Sequence, residues 1–498
     1  MVSRPDAAAA IAAVRTALSR SGVVPRAVRA DSRQVRHGDL FFALPGQRTD
    51  GRRYIDAAIE RGACAVVCEA GGAPTAAPVP VIEIESLRER AGALADDLLD
   101  HPSSALHLIG ITGTNGKTSV SQWIAQAMGR LGTRCGVIGT LGSGLPEQLT
   151  ESANTTPDVV SVHQTLADLR AAGARACAME VSSIGLDQGR IDAVRIHTAV
   201  FTNLTRDHLD YHPDMQHYAA AKSALFRHPG LHAAVINTDD AFGRTLSFET
   251  ASRLPVTGCA LDADLPQGVS GLRARNADLA HGLSFDIEHG TELVRINTAL
   301  AGRFNIQNLL AVTGSLLHAG VTLADAARVA GALVPPPGRM QRLGGHGEPL
   351  IVVDYAHTPD ALEQALRALQ PVAGARGGKL LCVFGCGGDR DPGKRPLMGA
   401  VAFEHAARIW ITSDNPRNED PETILDTIVT GMPACADVRR EVDRALAIRA
   451  AVLDADARDV VLIAGKGHEH YQERMGVRTP WSDIDQATAA LAARGCVQ

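Results

Sequence analysis

The stretch Gly110-Ile-Thr-Gly-Thr-Asn-Gly-Lys-Thr118 constrains this chain more than any other. It follows an apolar run, Ala105 to Ile109, that reads as a buried strand. It precedes Ser119 to Met128, where Val120, Trp123, Ile124 and Ala127 recur at helical spacing. A strand, a glycine-rich loop and a Lys-Thr pair at a helix start make a grip for a phosphate chain. Glycines let backbone N–H groups approach the oxygens, the helix N-terminus adds positive potential, Lys117 supplies a point charge, and the Thr118 hydroxyl can ligate Mg2+. The general P-loop pattern places a glycine where Ile111 stands here, and the glycines fall instead at 110, 113 and 116. The loop is therefore a variant P-loop, expected to grip a phosphate-bearing ligand.

A chain of 498 residues exceeds one compact core and suggests about three domains. Net charge of −6, from 49 basic and 55 acidic residues, gives no overall nucleic-acid footprint, so an anionic substrate has to be met by local cations. Cysteine number nine is odd, and the closest pairs, Cys64/Cys68 and Cys382/Cys386, lack the C-x-x-C spacing. That pattern favours reduced thiols in a cytoplasmic protein over a disulfide framework or a zinc site. Ala7 to Val14 is bounded by Asp6 and Arg15 and reads as an amphipathic first helix rather than a signal segment. No apolar run is long enough to span a membrane.

Residues 1–100 read as a small α/β domain, with a polar turn at Asp31-Ser-Arg33, a strand within Gly38 to Leu44, a helix ending at Arg61 and a strand over Ala63 to Cys68. Taken alone, Ser32 and the Gln47-Arg48-Thr49 loop fit plain surface turns better than ligand contacts. Residues 101–337 alternate strands and helices, and polar clusters follow the strands: Glu180-Val-Ser-Ser183, Asn203-Leu-Thr-Arg-Asp-His208 and Thr238-Asp-Asp240. In a parallel sheet the carboxyl ends share one edge, so these clusters are expected to converge beside the P-loop. Residues 247–300 lose helical periodicity and contain a hairpin, Leu283 to Glu288 with Glu292 to Asn297. Lys222 falls on an alanine-rich helix, His217 to Arg227, where spacing alone makes it a solvated lysine.

Pro335-Pro-Pro-Gly-Arg339 marks a linker, and residues 338–498 form a third domain. Its strands end in Asp354-Tyr-Ala-His-Thr-Pro-Asp360, Gly385 to Asp391, Ser413-Asp-Asn-Pro-Arg417 and Gly465-Lys-Gly-His-Glu469. Four polar loops at successive carboxyl ends define one rim, and its mixture of cations and carboxylates suits a zwitterion. The fold class expected is α/β in three domains: a small N-terminal α/β domain, a central P-loop ATPase-type mostly parallel sheet, and a C-terminal Rossmann-like doubly wound sheet.

These motifs, together with Gly302-x-x-Asn-x-x-Asn308, resemble the Mur ligases, ATP-dependent amide-forming enzymes of peptidoglycan synthesis related to folylpolyglutamate synthetases. The likeness covers essentially the whole chain. Within that family, Asp414-Asn-Pro-Arg417 resembles the motif of members that add meso-diaminopimelate to UDP-N-acetylmuramoyl-L-alanyl-D-glutamate. The resemblance implies ATP and Mg2+ as cofactors, an acyl-phosphate intermediate, and a cytoplasmic monomer without nucleic-acid or membrane partners. It implies ATP contacts at Gly113, Thr114, Asn115, Gly116, Lys117, Thr118, Ser119, Asn305, Arg339 and Asp354, with His357 a weaker candidate. Lys117, Glu180, His208 and Lys222 would be catalytic. Thr118, Glu180, His208 and a carbamylated Lys222 would support metal. Ser32, Asn154, Thr155, Thr156, Ser182, Gln188 and Arg190 would bind the UDP-linked substrate. Arg390, Asp414, Asn415, Pro416, Arg417, Gly465 and Glu469 would hold diaminopimelate. Ile184 and Gln341 depart from the family pattern, which usually has histidine and glutamate there. The alternatives are a related ligase adding L-lysine and a nucleotide-gated binding protein that makes no bond.

Overall fold

A computed structural model describes residues 7–46, 49–74, 76–152, 154–279, 283–434 and 437–495; Gln47 and Arg48 of the expected docking loop lie outside them. The chain is α/β, and its packing divides it into two compact units interleaved along the sequence. One comprises Met1–Thr112, Ile124–Val200 and Ala221–Ala234, the other Gly113–Trp123, Phe201–Ala220 and Val235–Gln498.

The first unit opens with a parallel sheet of four strands in chain order, Val28–Arg29, Leu40–Ala43, Ala65–Glu69 and Val81–Ile84. Both faces are covered, which explains why these strands read as short apolar runs rather than alternations. Leu40 and Phe42 pack with Val14, Leu18 and Leu94, whereas Phe41 and Ala43 pack with Ile55 and Ala58. The first helix runs over Ala8–Arg20, longer than its alanine run suggests. In the same unit, the strand His107–Thr112 lies parallel to Ala176–Glu180, which on its other side pairs with Cys135–Gly139. The strand before the P-loop thus begins and ends later than Ala105 to Ile109, because Pro102–Ala105 forms a 3-10 turn. Gly110 is part of that strand, its α-carbon packed against Ile196 and Leu225.

In the second unit the strands Val256–Ala260, Gly271–Asp278, Leu283–His289 and Glu292–Thr298 pair in sequence. The expected hairpin is present, and it turns at Gly290, where φ is +61°. One expectation is corrected here: residues from 247 do not all lack helix, since Ala241–Ala251 is one helix capped by the Asp240 carboxylate. The sheet of residues 341–464 has six strands, in the order Gln341–Gly344, Leu350–Asp354, Val460–Ala464, Leu380–Phe384, Arg408–Ile411 and Val438–Arg440. All its pairings are parallel except the first. Helices cover both faces: Val352, Phe384 and Leu462 pack toward Leu362, Leu366 and Met398, while Ile351, Val383 and Ile463 pack toward Ile448 and Val452. This is a doubly wound sheet, and ligands of such sheets sit beyond the carboxyl ends of the strands.

Beneath that edge lies a fully buried ion pair. Arg444 donates from Nε and Nη2 to both oxygens of Asp483, at 2.8 and 2.7 Å, and neither side chain is exposed. The same guanidinium donates to the carbonyls of Ser413 and Ala464, and the Trp481 indole N–H donates to Asp483. Arg444→Met leaves a buried carboxylate without its counter-charge and is expected to lower unfolding free energy by about 3–5 kcal/mol in chemical denaturation. A loss below about 1 kcal/mol would show that the pair does not hold these strand ends.

Candidate active site

The loop that follows the strand is shaped by two glycines. Gly113 has φ +147°, and a β-carbon there would lie 1.8 Å from the Thr202 hydroxyl; Gly116 has φ +86°, and a β-carbon would lie 2.5 Å from Asn308 Oδ1. A side chain at either place would displace the polar groups that brace the loop. Asn203 accepts from Asn115 N–H through Oδ1, at 2.9 Å, and from Thr114 N–H through its carbonyl, at 2.8 Å. The Thr114 hydroxyl donates to the Thr205 carbonyl and accepts from Thr205 N–H, while the Thr202 hydroxyl donates to the Asn115 carbonyl. Lys117 and Thr118 begin the helix Lys117–Arg130, with Ser119 in its first turn. Lys117 Nζ donates to the carbonyls of Gly113 and Thr114, both at 2.9 Å, which holds its charge over the loop.

Residues from far along the chain close on this loop. Arg339 donates to the Thr118 hydroxyl at 3.1 Å, and its guanidinium carbon lies 4.4 Å from the Tyr355 ring centroid. Asp354 accepts from the N–H groups of Met340 and Ala356; burial pushes its carboxyl up, against the pull of Arg339. Asn305 supports the loop indirectly: its oxygen accepts from Asn308, the residue that packs on Gly116, and its nitrogen donates to the Ala301 carbonyl. Gln341 accepts from Gly338 N–H through its amide oxygen, at 2.9 Å.

The segment after Asn203 carries an acid that the sequence reading did not single out. Asp207 is buried, with His208 Nε2 at 3.6 Å, His357 Nε2 at 3.7 Å and Lys394 Nζ at 3.9 Å. Burial opposes its charge, yet these three groups hold Asp207 well below the usual carboxylate range. The distances are too long for direct hydrogen bonds, so the stabilisation is electrostatic. His208 itself has φ +54°, a left-handed conformation that a histidine rarely adopts without a local reason. Two reciprocal ion pairs tie the segment to the Gly385–Asp391 loop: Arg206 to Asp391, bidentate at 2.9 and 3.1 Å, and Arg390 to Asp210 at 3.1 Å. A substrate carboxylate at Arg390 therefore has to share the guanidinium with Asp210.

The expected rim is assembled at the sheet edge. Arg417, with φ +51°, is pinned by its backbone bonds to Glu473 and Met475 of the hairpin Tyr471–Arg474 and Val477–Pro480. Its guanidinium donates to the Gly388 carbonyl at 2.7 Å. Asn415 Nδ2 donates to Glu469, and Pro416 packs its carbonyl close to Gly388. Gly465 N–H donates to the Asp354 carbonyl, joining the nucleotide side of the rim to the acceptor side. Asp414 is buried; despite that burial, Lys466 and Arg444 lower its carboxyl from the ordinary value.

The first unit holds the remaining candidates. Glu180 is buried and accepts from the N–H and hydroxyl of Thr140, at 2.9 and 3.0 Å. Thr156 donates to the Glu180 carbonyl and accepts from Ser182 N–H, Thr155 meets Thr140, and the Ser182 hydroxyl caps the helix Ser183–Asp187, in which Ile184 is half-buried. Arg190 donates twice to Gln188 and once to the Thr156 carbonyl. Asn154 is exposed beside this cluster in sequence, and Ser32 lies buried in the 3-10 turn Ser32–Gln34 capped by Asp31. The single helix expected over His217 to Arg227 is corrected: Met215–Ser223, which carries Lys222, is α-helical and Ala224–Arg227 is a 3-10 turn. Lys222 is not solvated, being only 1% exposed.

An α/β chain that joins a phosphate-gripping loop to a mixed-charge rim is built as an ATP-dependent ligase. Residues 26–98 match the model described as Mur ligase family, catalytic domain; residues 111–316 match the Mur ligase middle domain; and residues 338–467 match the Mur ligase, glutamate ligase domain. The UDP-N-acetylmuramoyl-L-alanyl-D-glutamate--2,6-diaminopimelate ligase of Pseudomonas aeruginosa is 52% identical over 470 residues, covering 94% of this chain and 95% of that protein. Its namesake from Ralstonia nicotianae is 51% identical over 477 residues, covering 93% of each. A solved structure of a protein of that name, 36% identical, superposes with a TM-score of 0.64 over 95% of both chains. MurF ligase from Thermotoga maritima in complex with ADP shares the fold alone, with a TM-score of 0.69 at 16% identity over 95% of this chain and 98% of that one. The chain belongs to the Mur ligase family.

Proposed function

We propose that this enzyme joins 2,6-diaminopimelate, in its meso form, to UDP-N-acetylmuramoyl-L-alanyl-D-glutamate at the expense of ATP, in the synthesis of a peptidoglycan precursor. The observation that carries the reading is that one compact unit contains both the phosphate-gripping loop and the zwitterion-matched rim, linked through Arg206–Asp391 and the groups around Asp207. The names and extent of the relatives support it. The domain boundaries expected near residues 100 and 337 belong to the same proposal, as do a monomeric state and a cytoplasmic setting. No helix among the described residues is long and apolar enough to cross a membrane.

A carboxylate is a poor acyl donor until one of its oxygens becomes part of a leaving group. An oxygen of the D-glutamyl γ-carboxylate attacks the γ-phosphorus of ATP, the bond to the bridging oxygen breaks, and ADP departs. The neutral amine of diaminopimelate then attacks the acyl carbon, the tetrahedral intermediate expels phosphate, and the new amide nitrogen loses a proton. Lys117 and the loop N–H groups orient the phosphates, and Arg339 fixes the Thr118 hydroxyl beside them. Asp414 and Glu469 face the remote ammonium of the amino acid, and Arg417 faces its carboxylate.

The residues fit Mg2+. Thr118 and Glu180 offer hard oxygen donors, and Mg2+ is commonly held by one or two protein oxygens plus phosphate oxygens rather than by a protein cage. By the family resemblance, Thr118 and Glu180 would hold one ion and His208 and carbamylated Lys222 would support a second, which when bound offset phosphate charge.

Phosphate release with the UDP-linked dipeptide should require meso-diaminopimelate; a response to L-lysine alone would overturn the acceptor assignment. Arg417→Lys is expected to raise the KM for diaminopimelate by about tenfold or more and that for ATP by less than about twofold, because an ammonium cannot reproduce a two-pronged carboxylate contact. Equal rises in both would remove Arg417 from this role.

A further inference from the structure

The buried lysine between Gly465 and Gly467 takes no part in the chemistry set out above, yet the rim converges on it. Lys466 is fully buried. Its Nζ donates to Glu469 Oε2 at 2.8 Å and to Asn415 Oδ1 at 3.0 Å, and it stands 4.0 Å from Asp414 Oδ1. Asn415 Oδ1 also accepts from Glu473 N–H, at 2.9 Å, which turns its Nδ2 toward Glu469 Oε2, also at 2.9 Å. One ammonium therefore fixes the orientation of two rim side chains and lies against the third.

Charge counting gives this arrangement a meaning. Two carboxylates facing one small space without a cation cannot both remain ionised at low cost. With Lys466 in place, and with Arg417 left for the substrate carboxylate, Asp414 and Glu469 together keep one uncompensated negative charge, which matches one substrate ammonium. Arg444 is already matched by Asp483 and leaves that count unchanged. The other groups facing these carboxylates are His357 and Arg417 toward Asp414, the Tyr355 hydroxyl at 3.4 Å from Glu469 Oε1, and the Tyr471 ring, whose centroid is 5.8 Å from Lys466 Nζ.

We propose that Lys466 is a positioning residue for acceptor recognition: it holds Asn415 and Glu469 in their binding orientation and sets the charge of the rim so that it accepts one ammonium of a zwitterionic amino acid. The inference rests on the function proposed above. It separates Lys466 from a merely structural lysine, because the charge it supplies controls how acceptor binding depends on pH.

The test compares wild type, Lys466→Met and the double variant Lys466→Met/Glu469→Gln in steady-state phosphate release, with 2,6-diaminopimelate and ATP varied in turn. In Lys466→Met the KM for diaminopimelate should rise about tenfold or more, with the KM for ATP changed by less than about twofold. The sign of the pH effect follows from the unpaired carboxylates. One of them takes up a proton as pH falls, which returns the rim to the single negative charge of wild type, so KM should be highest at alkaline pH and fall as pH drops through that protonation. Wild type should show no such limb, and the double variant should lose it again because only one carboxylate remains. Should Lys466→Met fail to fold, Lys466→Gln keeps a hydrogen-bond donor without the charge and should show the same limb. Equal rises in both KM values, or a profile in the uncharged variants as flat as that of wild type, would overturn the proposal. Wild-type turnover indifferent to diaminopimelate would overturn both this inference and the function on which it rests.

Discussion

Lys117→Met is expected to lower kcat by about 10²–10³-fold, the usual cost of removing one preorganised charge from a site where negative charge moves in the transition state. The argument is geometric. Lys117 is held by two loop carbonyls, so its charge is in place before substrate arrives and no reorganisation is needed during transfer. The loop itself is braced by bonds that Asn203, Thr205 and Thr202 make to Thr114 and Asn115, which the substitution leaves in place, so the fold should survive the change. Melting temperature should therefore stay within a few degrees while single-turnover phosphoryl transfer collapses. A kcat within about threefold of wild type would show that the loop positions nucleotide without assisting transfer.

The second large effect is expected at Lys222. Lys222 is only 1% exposed, and a carbamate made from its amine and carbon dioxide would replace its cation with an anionic oxygen donor. Lys222→Ala should reduce turnover by about 10²-fold or more, of the order found when an outer or inner metal-site group is lost. Added formate or acetate should restore a measurable part of it, and intact-protein mass spectra under mild conditions should show one carbon dioxide adduct in wild type only. Full activity in Lys222→Ala without any added carboxylate would end the carbamate assignment.

Much of the fold was legible because the parallel strands are buried on both faces. Leu350–Asp354, Leu380–Phe384 and Val460–Ala464 are almost uninterrupted apolar segments, each followed by a polar loop. Some apolar strands escaped the reading, among them Val81–Ile84 and Cys135–Gly139, and so did strands with little apolar signal. Val438–Arg440 and Gln341–Gly344 are polar edge strands, and the hairpin of Tyr471–Arg474 with Val477–Pro480 is largely exposed.

The same distinction holds at the site. Motif residues such as Lys117, Asp354 and Arg417 stand in or at the edge of loops whose composition announces them. Asp207 and Lys466 lie inside quoted motifs, so a signal existed, but nothing in the spacing says that either charge is buried. Arg444 and Asp483 meet across 39 positions of sequence, and no periodicity links a lone arginine on a helix with the first residue of another. Burial also reversed the spacing-based reading of Lys222, whose alanine-rich helix looks solvent-facing from sequence alone. Local pattern reveals elements and loops, whereas the partner of a buried charge is set by topology.

The central claim is that this chain activates a carboxylate by phosphorylating it and passes the acyl group to diaminopimelate. The most direct test uses UDP-N-acetylmuramoyl-L-alanyl-D-glutamate labelled with oxygen-18 in the D-glutamyl γ-carboxylate, incubated with ATP, Mg2+ and meso-diaminopimelate, and follows the label by mass spectrometry of the phosphate. The account predicts that phosphate appears only when the amino acid is present and carries one labelled oxygen from the carboxylate. Unlabelled phosphate, or release indifferent to the acceptor, would contradict it.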